Sequence, residues 1–497
     1  MGRKRVAVVG AGLGGLSAAI RLAHAGYAVD LYDQQKMVGG KAGSKTTGGF
    51  RFDTGPSLLT MPQVFRQLFE EVGRRLEDHL EFIPLAPICH YFFPDGTRLY
   101  SYSDPERFGA EISEKTLDNR RALDRYLNYA QTIYENTAEL FLWHSLHEPS
   151  SYFKAFSLKS LFNLGRIDAF RSMDAANRSF FSDPRMVQLF DRYATYNGSS
   201  PYKVPATLNI IPYVEYGLGG YAVNGGIYAI PAALGELARA LGVGVHLDTR
   251  VERILYGRGR IRGIRAAGES LDYEIVVSNS DVLRTYEDLL QDPEARLARR
   301  YQALEPSSSG LVFFWGMKQS FSELGVNNIF FSEDYPREFR ELFVERVCPR
   351  DPTVYVNITS KVNSEDAAGG GENWFVLINA PCNAGQDWEE EAASSRVHVL
   401  ARLRRALGRS VEPLIAAEMV LHPAEIEAQT GSRLGSLYGI SSNTSMAAFL
   451  RHPNRSRRYR GLYFCGGSVH PGGGMPLAVL SGKIAADLIR RHEGAAA

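Results

Sequence analysis

Cysteine is scarce in this chain: Cys89, Cys348, Cys382 and Cys465 are the only four among 497 residues, and none forms a Cys-x-x-Cys pair. That scarcity argues against a disulfide framework and against a thiolate zinc site. Long apolar runs are missing too. No stretch reaches the roughly 18 apolar residues of a membrane-spanning helix, and a rich run such as Leu311-Val-Phe-Phe-Trp315 is only strand-sized. Neither sign of charge is in excess, with 56 Lys and Arg against 55 Asp and Glu for a formal net charge of +1. Nucleic-acid binders carry a basic excess that draws phosphate, so no nucleic-acid partner is expected. No cluster of His, Cys and carboxylates has metal-ligand spacing, so no metal is expected, and no Gly-x-Ser-x-Gly elbow marks a hydrolase nucleophile. The basic Arg3-Lys4-Arg5 leads only into Val6-Ala-Val-Val9 before glycines interrupt. A secretory leader needs a longer apolar region, so an unprocessed protein of a reducing compartment is expected.

Glycine, by contrast, is abundant at 48 residues, beside 44% apolar and 11% aromatic content. That much apolar material builds packed cores rather than disorder, and the length suits two or three domains. The placement of the glycines is the informative part. Arg5-Val-Ala-Val-Val9 reads as a buried parallel strand. Gly10-Ala-Gly12-Leu13-Gly14-Gly15 follows and contains Gly-x-Gly-x-x-Gly. Residues 16–25 then read as a helix with Leu16, Ala19, Ile20 and Ala23 on one side, closed by Gly26. A second strand, Ala28-Val-Asp-Leu-Tyr32, ends in Asp33. In such a unit Gly10 makes the tight turn, Gly12 admits a pyrophosphate, and Gly15 lets helix and strand pack closely. The helix N-terminus receives the phosphate charge, and Asp33 accepts hydrogen bonds from ribose hydroxyls. A 2′-phosphate would be repelled by Asp33, which leaves FAD or NAD.

The far end of the chain carries a second glycine cluster. Leu462-Tyr-Phe-Cys-Gly466-Gly467 is a strand running into glycines, and His470-Pro-Gly472-Gly473-Gly474-Met475-Pro476 leads into a helical pattern over residues 477–491. Pro476 suits the first helical position, where a missing N–H costs nothing. Bare N–H groups at the positive end of that helix suit the N1–C2=O edge of a flavin, which becomes negative on reduction. Mid-chain, Asn224-Gly-Gly-Ile-Tyr-Ala-Ile-Pro231 precedes a helix to about residue 241. Strands are then read over 243–251, 262–265 and 273–279, a return to the cofactor unit. Gly217-Leu-Gly-Gly-Tyr-Ala222 lacks the last glycine of a second fingerprint, so no nicotinamide site is expected.

Gly39-Gly40-Lys41-Ala-Gly43 and Phe50-Arg-Phe-Asp53-Thr-Gly55-Pro56, beside the N-terminal fingerprint, resemble the two-dinucleotide-binding-domain flavoproteins. That group includes amine oxidases, protoporphyrinogen oxidase and carotenoid desaturases. Over nearly the whole chain the sequence further resembles the bacterial phytoene-desaturase-type carotenoid oxidoreductases. The resemblance is carried by stretches 10–15 and 39–42, Phe52-Asp-Thr-Gly-Pro-Ser57, Tyr196-Asn-Gly-Ser-Ser-Pro201 and Gly225-Gly-Ile-Tyr-Ala-Ile-Pro231. Val277-Ser-Asn-Ser-Asp281, Asn328-Ile-Phe-Phe-Ser332 and Phe449-Leu-Arg-His-Pro-Asn454 complete it. Gly472-Gly-Gly-Met-Pro-Leu477, where phytoene desaturases show Gly-Ala-Gly-Ile-Pro, looks like the 1-hydroxycarotenoid 3,4-desaturase branch.

This resemblance implies an α/β fold, α+β overall: a Rossmann-like FAD-binding domain with an inserted substrate-binding sheet and a helical lid or membrane-contact region. The implied FAD-binding parts are 1–85, 216–300 and 451–497, with a helical lid and substrate part at 86–215 and a second substrate part at 301–450. FAD would be held without a covalent bond by Gly10, Gly12, Leu13, Gly14, Gly15 and Asp33, then by Gly40, Lys41, Gly55, Pro56 and Ser57. Val251 would meet the adenine, and Gly467, Gly473, Gly474 and Met475 the flavin end.

The implied reaction introduces a C=C bond into an acyclic, 1-hydroxylated carotenoid by loss of a hydride and a proton, the hydride going to the flavin. A polyene delocalises the resulting cation, so the protein need only align the substrate, exclude water and accept a proton. No acid–base residue carries over from the family; Tyr196, Asp191 and His470 are candidates for taking the proton or binding a terminal hydroxyl. His144 and His147, scattered among other residue types, read as structural. Oxygen or a quinone is the expected electron acceptor. Lys154, Lys159, Arg166 and Arg171 interleave with apolar residues between Phe153 and Met173, which suits a membrane surface and equally a packed helix with a solvated face. Peripheral attachment on the cytoplasmic side is expected. The competing readings are phytoene or diapophytoene desaturation, carotene isomerisation, an amine-oxidase-like reaction, and a non-enzymatic isoprenoid carrier, for which intact flavin motifs would be superfluous.

Overall fold

The computed structural model describes residues 3–148, 167–444, 447 and 451–494. Strand Arg5–Val9 lies at the centre of five parallel strands, in the order Leu462–Phe464, Ile275–Ser278, Arg5–Val9, Ala28–Tyr32, Gly244–His246. Val8 stands opposite Val277 on one side and Leu31 on the other. Alternate residues of these strands feed two cores. Val6, Val8, Leu31 and Val277 pack with the helices Leu13–His24, Ala229–Ala240 and Met475–Glu493. Ala7, Val9, Tyr32 and Val276 pack with the antiparallel sheet Val251–Gly257, Arg260–Ala266, Glu269–Asp272. Cover on both faces is why stretches such as Val6–Val9 and Ile275–Val277 read as unbroken apolar runs.

Three sequence expectations are corrected in this unit. The first helix begins at Leu13, so Gly14 and Gly15 lie in its first turn, and its burial runs unbroken from Leu13 to Leu22 instead of along one side. The cause is the helix Met475–Glu493, which packs across what would otherwise be its solvent face. A Cβ at Gly482 would collide with the Gly14 carbonyl and come within 2.7 Å of the Ser17 side chain, whose Oγ donates to the Val479 carbonyl at 2.6 Å. That last helix starts at Met475, with Pro476 as its second residue. The strand expected over 243–251 is broken: Gly244–His246 joins the parallel sheet, Asp248 takes a left-handed φ of 52°, and Val251 opens the antiparallel sheet.

A second sheet has seven strands, in the order Ile415–Leu421, Ser309–Met317, Glu372–Ala380, Val354–Ile358, Asn327–Phe330, Cys89–Phe92, Arg98–Ser101. The apolar run at Leu311 lies in Ser309–Met317, which is buried along its whole length. Leu311, Phe313, Trp315, Val354, Trp374 and Val376 face the helix Trp388–Leu407. Val312, Phe314, Phe375 and Leu421 face the other way, toward Phe50 and Phe52. Beyond the Cys89–Phe92 end, helices Arg120–Trp143, Pro184–Asp191 and Ile210–Leu218 enclose an aromatic core that includes Phe108, Tyr126, Phe190, Tyr193 and Tyr216.

Among the described residues no helix is long and apolar enough to cross a membrane. Of the basic, aromatic stretch between Phe153 and Met173, Lys154, Lys159 and Arg166 lie outside the described residues, as do Phe449 and Leu450. Arg171 is described and pairs with Asp168 at 2.6 Å.

Candidate functional site

The edge of the parallel sheet where the strands end gathers the glycine clusters of both chain ends. Gly10 takes a φ of 101° as the chain leaves the first strand, a conformation costly for any residue with a Cβ. A Cβ at Gly15 would strike the Gly10 carbonyl. The helix then begins from Gly12 with no side-chain cap and no acidic residue in its first turn, so its positive end is left for an anion. The Gly39-Gly40 loop crosses directly above, where Gly39 bridges to Gly12 and its N–H donates to the Ala11 carbonyl at 2.9 Å. Asp33, at the end of the second strand, accepts from the N–H of Ala11 at 2.7 Å and of Gln35 at 2.8 Å. Burial pushes this carboxyl above its ordinary range, and those two N–H groups pull it back. The Thr249 N–H donates to the Asp33 carbonyl at 2.8 Å, which draws the approach to Val251 against the same corner; Val251 itself pairs with Ala266 and is buried.

Asn279 ties this end to the C-terminal glycines. A Cβ at Gly12 would lie 2.8 Å from its Nδ2, and Cβ atoms at Gly14 and Gly466 would each lie 2.7 Å from its Oδ1. Gly467 and Gly473 face each other, and Gly473 packs on the Tyr438 ring. Gly474, at φ 110°, has no atom near its missing Cβ, and the helix it opens has no side-chain cap and no acid in its first turn. Gly472 backs onto Arg451, whose guanidinium donates to the Tyr438 carbonyl at 2.8 Å and to the Asn197 Oδ1 at 3.3 Å. Lys41 reaches the Ser436 and Leu437 carbonyls at 2.9 and 2.7 Å, and burial brings its ammonium down to about 8 against the opposing pull of Asp281. Gly55 lies so close under Lys41 that a Cβ would strike the Lys41 carbonyl. Past Pro56, Ser57 shares a 2.7 Å hydrogen bond with Tyr355 of the seven-stranded sheet. Two uncapped helix starts, the crossing of Gly12 by Gly39 and Gly40, and the open cradle at Gly474 fit an extended dinucleotide with a flavin at the C-terminal loop.

Beside this cradle stands the inner face of the seven-stranded sheet. Tyr355, Leu377, Met419 and Leu437 on that side, together with Tyr438 and Tyr196, keep partial exposure. Desolvation nevertheless dominates the phenols of Tyr196, Tyr355 and Tyr438 and raises all three. The surface they keep is mostly apolar and aromatic, and such a surface suits a long apolar molecule.

The three candidate proton acceptors are placed very differently. Asp191 is buried and accepts from Asn177 Nδ2 at 2.8 Å, and desolvation, with Asp174 adding to it, raises its carboxyl well above the ordinary range. His470 is buried with Nε2 at 2.8 Å from the His144 carbonyl, and burial lowers it to about 3. Tyr196 alone of the three keeps partial exposure. Its hydroxyl donates to Glu215 Oε2 at 2.6 Å and accepts from Arg192 Nη1 at 3.2 Å. Glu215, Arg192 and Tyr438 were not singled out from the sequence, and Asn279 entered only within the stretch 277–281 without a role of its own. The signal for the first two was present: Glu215 is a lone charge within Ile210–Leu218, and Arg192 follows Asp191 in an aromatic-rich stretch.

A family model described as flavin containing amine oxidoreductase matches residues 13–490. A 1-hydroxycarotenoid 3,4-desaturase from Flavobacterium sp. (strain P99-3) is 43% identical, covering 98% of this chain and 99% of the relative. A 4,4′-diapolycopene oxygenase from Methylomonas sp is 37% identical, covering 98% of each. Among solved structures, putrescine oxidase bound to putrescine superimposes with a TM-score of 0.65 over 98% of this chain and 99% of that one, at 17% identity. At that identity the likeness is one of fold alone.

Proposed function

The chain belongs to the flavin-containing amine oxidoreductase family, and from that premise we propose that it desaturates an acyclic carotenoid carrying a hydroxyl at C1. It is an FAD-dependent oxidoreductase of the carotenoid desaturase and oxygenase group. The observation that carries the finer reading is 43% identity, end to end, with a 1-hydroxycarotenoid 3,4-desaturase. The sequence Gly472-Gly-Gly-Met-Pro-Leu477 supports the same branch.

FAD would supply a two-electron acceptor for the hydride that leaves one carbon of a CH2–CH2 unit, while the neighbouring carbon releases a proton, so that two hydrogens are lost as the C=C bond forms. The chain's own residues do the rest. Tyr355, Leu377, Met419 and Leu437 lay an apolar wall along which a polyene is held in one orientation and water is excluded. The bare N–H groups at Gly474 and Met475 offer positive charge where negative charge develops. Electrons leave to oxygen or a quinone, since the sequence offers no second dinucleotide fingerprint. An apolar substrate is drawn from lipid, and the protein meets it as a peripheral protein on the cytoplasmic face.

The relative named as an oxygenase favours a second reading, oxygen insertion at a chain end. Product mass separates the two. FAD-loaded protein with liposomal 1-hydroxylated acyclic carotenoid should give a product lighter by two hydrogens and absorbing further to the red. A product heavier by oxygen makes the protein an oxygenase. Unchanged mass with altered absorption makes it an isomerase.

A further inference from the structure

We infer that Tyr196, held in one orientation by the buried Arg192–Glu215 pair, is the specificity-determining residue that reads the substrate's hydroxyl; the inference rests on the proposed substrate being hydroxylated. The pair is unusual for its setting. Glu215 is wholly buried and Arg192 nearly so, 3.1 Å apart inside an aromatic core. A buried ion pair is weak support for stability, since packed apolar side chains in its place are often as stable. What this one does is orient phenols. Arg192 Nη2 donates to Tyr91 at 2.6 Å and to Tyr193 at 2.9 Å, while Tyr193 donates to Glu215 Oε1 at 2.7 Å. Tyr91, Tyr193 and Tyr216 are sealed in the core. Among the described residues Tyr196 is the only member of the network that keeps partial exposure, so it is where the network can meet a substrate.

The hydrogen-bond inventory then decides what Tyr196 can recognise. A phenol has one proton and two lone pairs. The proton goes to Glu215 Oε2, and one lone pair takes Arg192 Nη1. One lone pair remains. Arg192 and Glu215 prevent the phenol from turning its own proton outward, so Tyr196 accepts and does not donate. Its complement is an O–H donor. A hydroxyl fits, whereas an ether or ketone oxygen would set acceptor against acceptor.

Position agrees with that chemistry. Asn197 is bonded to Arg451, which backs Gly472, and Gly198 packs on Tyr438, which packs on Gly473. The two residues that follow Tyr196 in the chain thus stand one layer of side chains from the flavin-end glycines. The oxygen of a C1 hydroxyl lies three bonds from C3, so a group reading it during 3,4-desaturation must stand near the cofactor. Asp191 and His470 are committed to Asn177 and His144.

The test compares kcat/KM for acyclic carotenoids of one chain length carrying a C1 hydroxyl, a C1 methoxyl or no oxygen, in liposomes with FAD-loaded protein. Wild type should prefer the hydroxyl over the methoxyl by about tenfold. Tyr196→Phe should lose that preference by slowing only the hydroxylated substrate, with FAD content unchanged. Equal slowing on all three substrates, or a preference kept intact, overturns the inference while the proposed reaction stands. If wild type converts the unoxygenated carotenoid as well as the hydroxylated one, the proposed substrate fails and the inference with it. Should Tyr196→Phe not retain FAD, the wild-type series decides alone, and equal kcat/KM for hydroxyl and methoxyl overturns it.

Discussion

At Asp33 both carboxylate oxygens already accept a backbone N–H, one from Ala11 and one from Gln35. Those bonds aim the group, and each oxygen retains a lone pair for a ribose hydroxyl. Asp33→Ala should remove charge-assisted hydrogen bonds of about 1.5–3 kcal/mol and weaken FAD roughly 10- to 100-fold, measured by titrating apoprotein with FAD; unchanged affinity in folded protein would contradict the assignment. Asp33 was readable because its distance from the glycines is fixed by one strand–helix–strand unit. Asn279 was not, because its partners Gly12, Gly14 and Gly466 lie far away in sequence. Two buried histidines give a prediction about pH. Burial holds His452 and His470 near 3, against an ordinary 6.5. Below 6.5 the unfolded chain takes up protons that the folded chain refuses, so stability is complete above 6.5 and declines as pH falls toward 3. Each histidine contributes about 1.4 kcal/mol per pH unit to that decline. Urea midpoints at pH 7.5 and 5 should therefore move closer together in His470→Asn than in wild type. An unchanged gap would show that His470 titrates normally.

Among elements, the pairing of Leu13–His24 with Met475–Glu493 sets how the two glycine loops face each other. They approach closely at Gly482, where any Cβ runs into the Gly14 carbonyl. Gly482→Val should force the helices apart, lowering stability by about 1–3 kcal/mol as overpacking does and reducing bound FAD. Thermal unfolding and the flavin-to-protein absorbance ratio check both effects, and a variant with full FAD and an unchanged melting temperature would show that the approach is not needed. The strands Arg5–Val9 and Ala28–Tyr32 were legible to the residue, because the glycine fingerprint and the acid that ends the unit fix their bounds. The break after Gly244–His246 was hidden, since Asp248 in a left-handed conformation interrupts a stretch whose composition is continuous. Amphipathicity misled for the first helix, because a second helix covers the side that sequence reads as exposed.

For the whole molecule, the sequence told more about the cofactor than about the substrate. Glycine fingerprints are local and stereochemically strict, whereas the Arg192–Glu215–tyrosine network joins Cys89–Phe92, the turn after Pro184–Asp191 and Ile210–Leu218 across long sequence separations. A chain with a lipid-soluble substrate and no spanning helix among its described residues should bind a bilayer reversibly. In flotation with liposomes it should rise with lipid and be released by alkaline carbonate or high salt; protein that never floats, or that only detergent frees, contradicts peripheral attachment. The central claim is a two-electron desaturation, and a single turnover without oxygen or quinone tests it most directly. When FAD-loaded protein meets liposomal 1-hydroxylated acyclic carotenoid under argon, the flavin absorbance should bleach, with one new double bond formed per flavin and a product lighter by two hydrogens. An unbleached flavin beside unchanged carotenoid, or a product formed without any loss of hydrogen, would contradict the account.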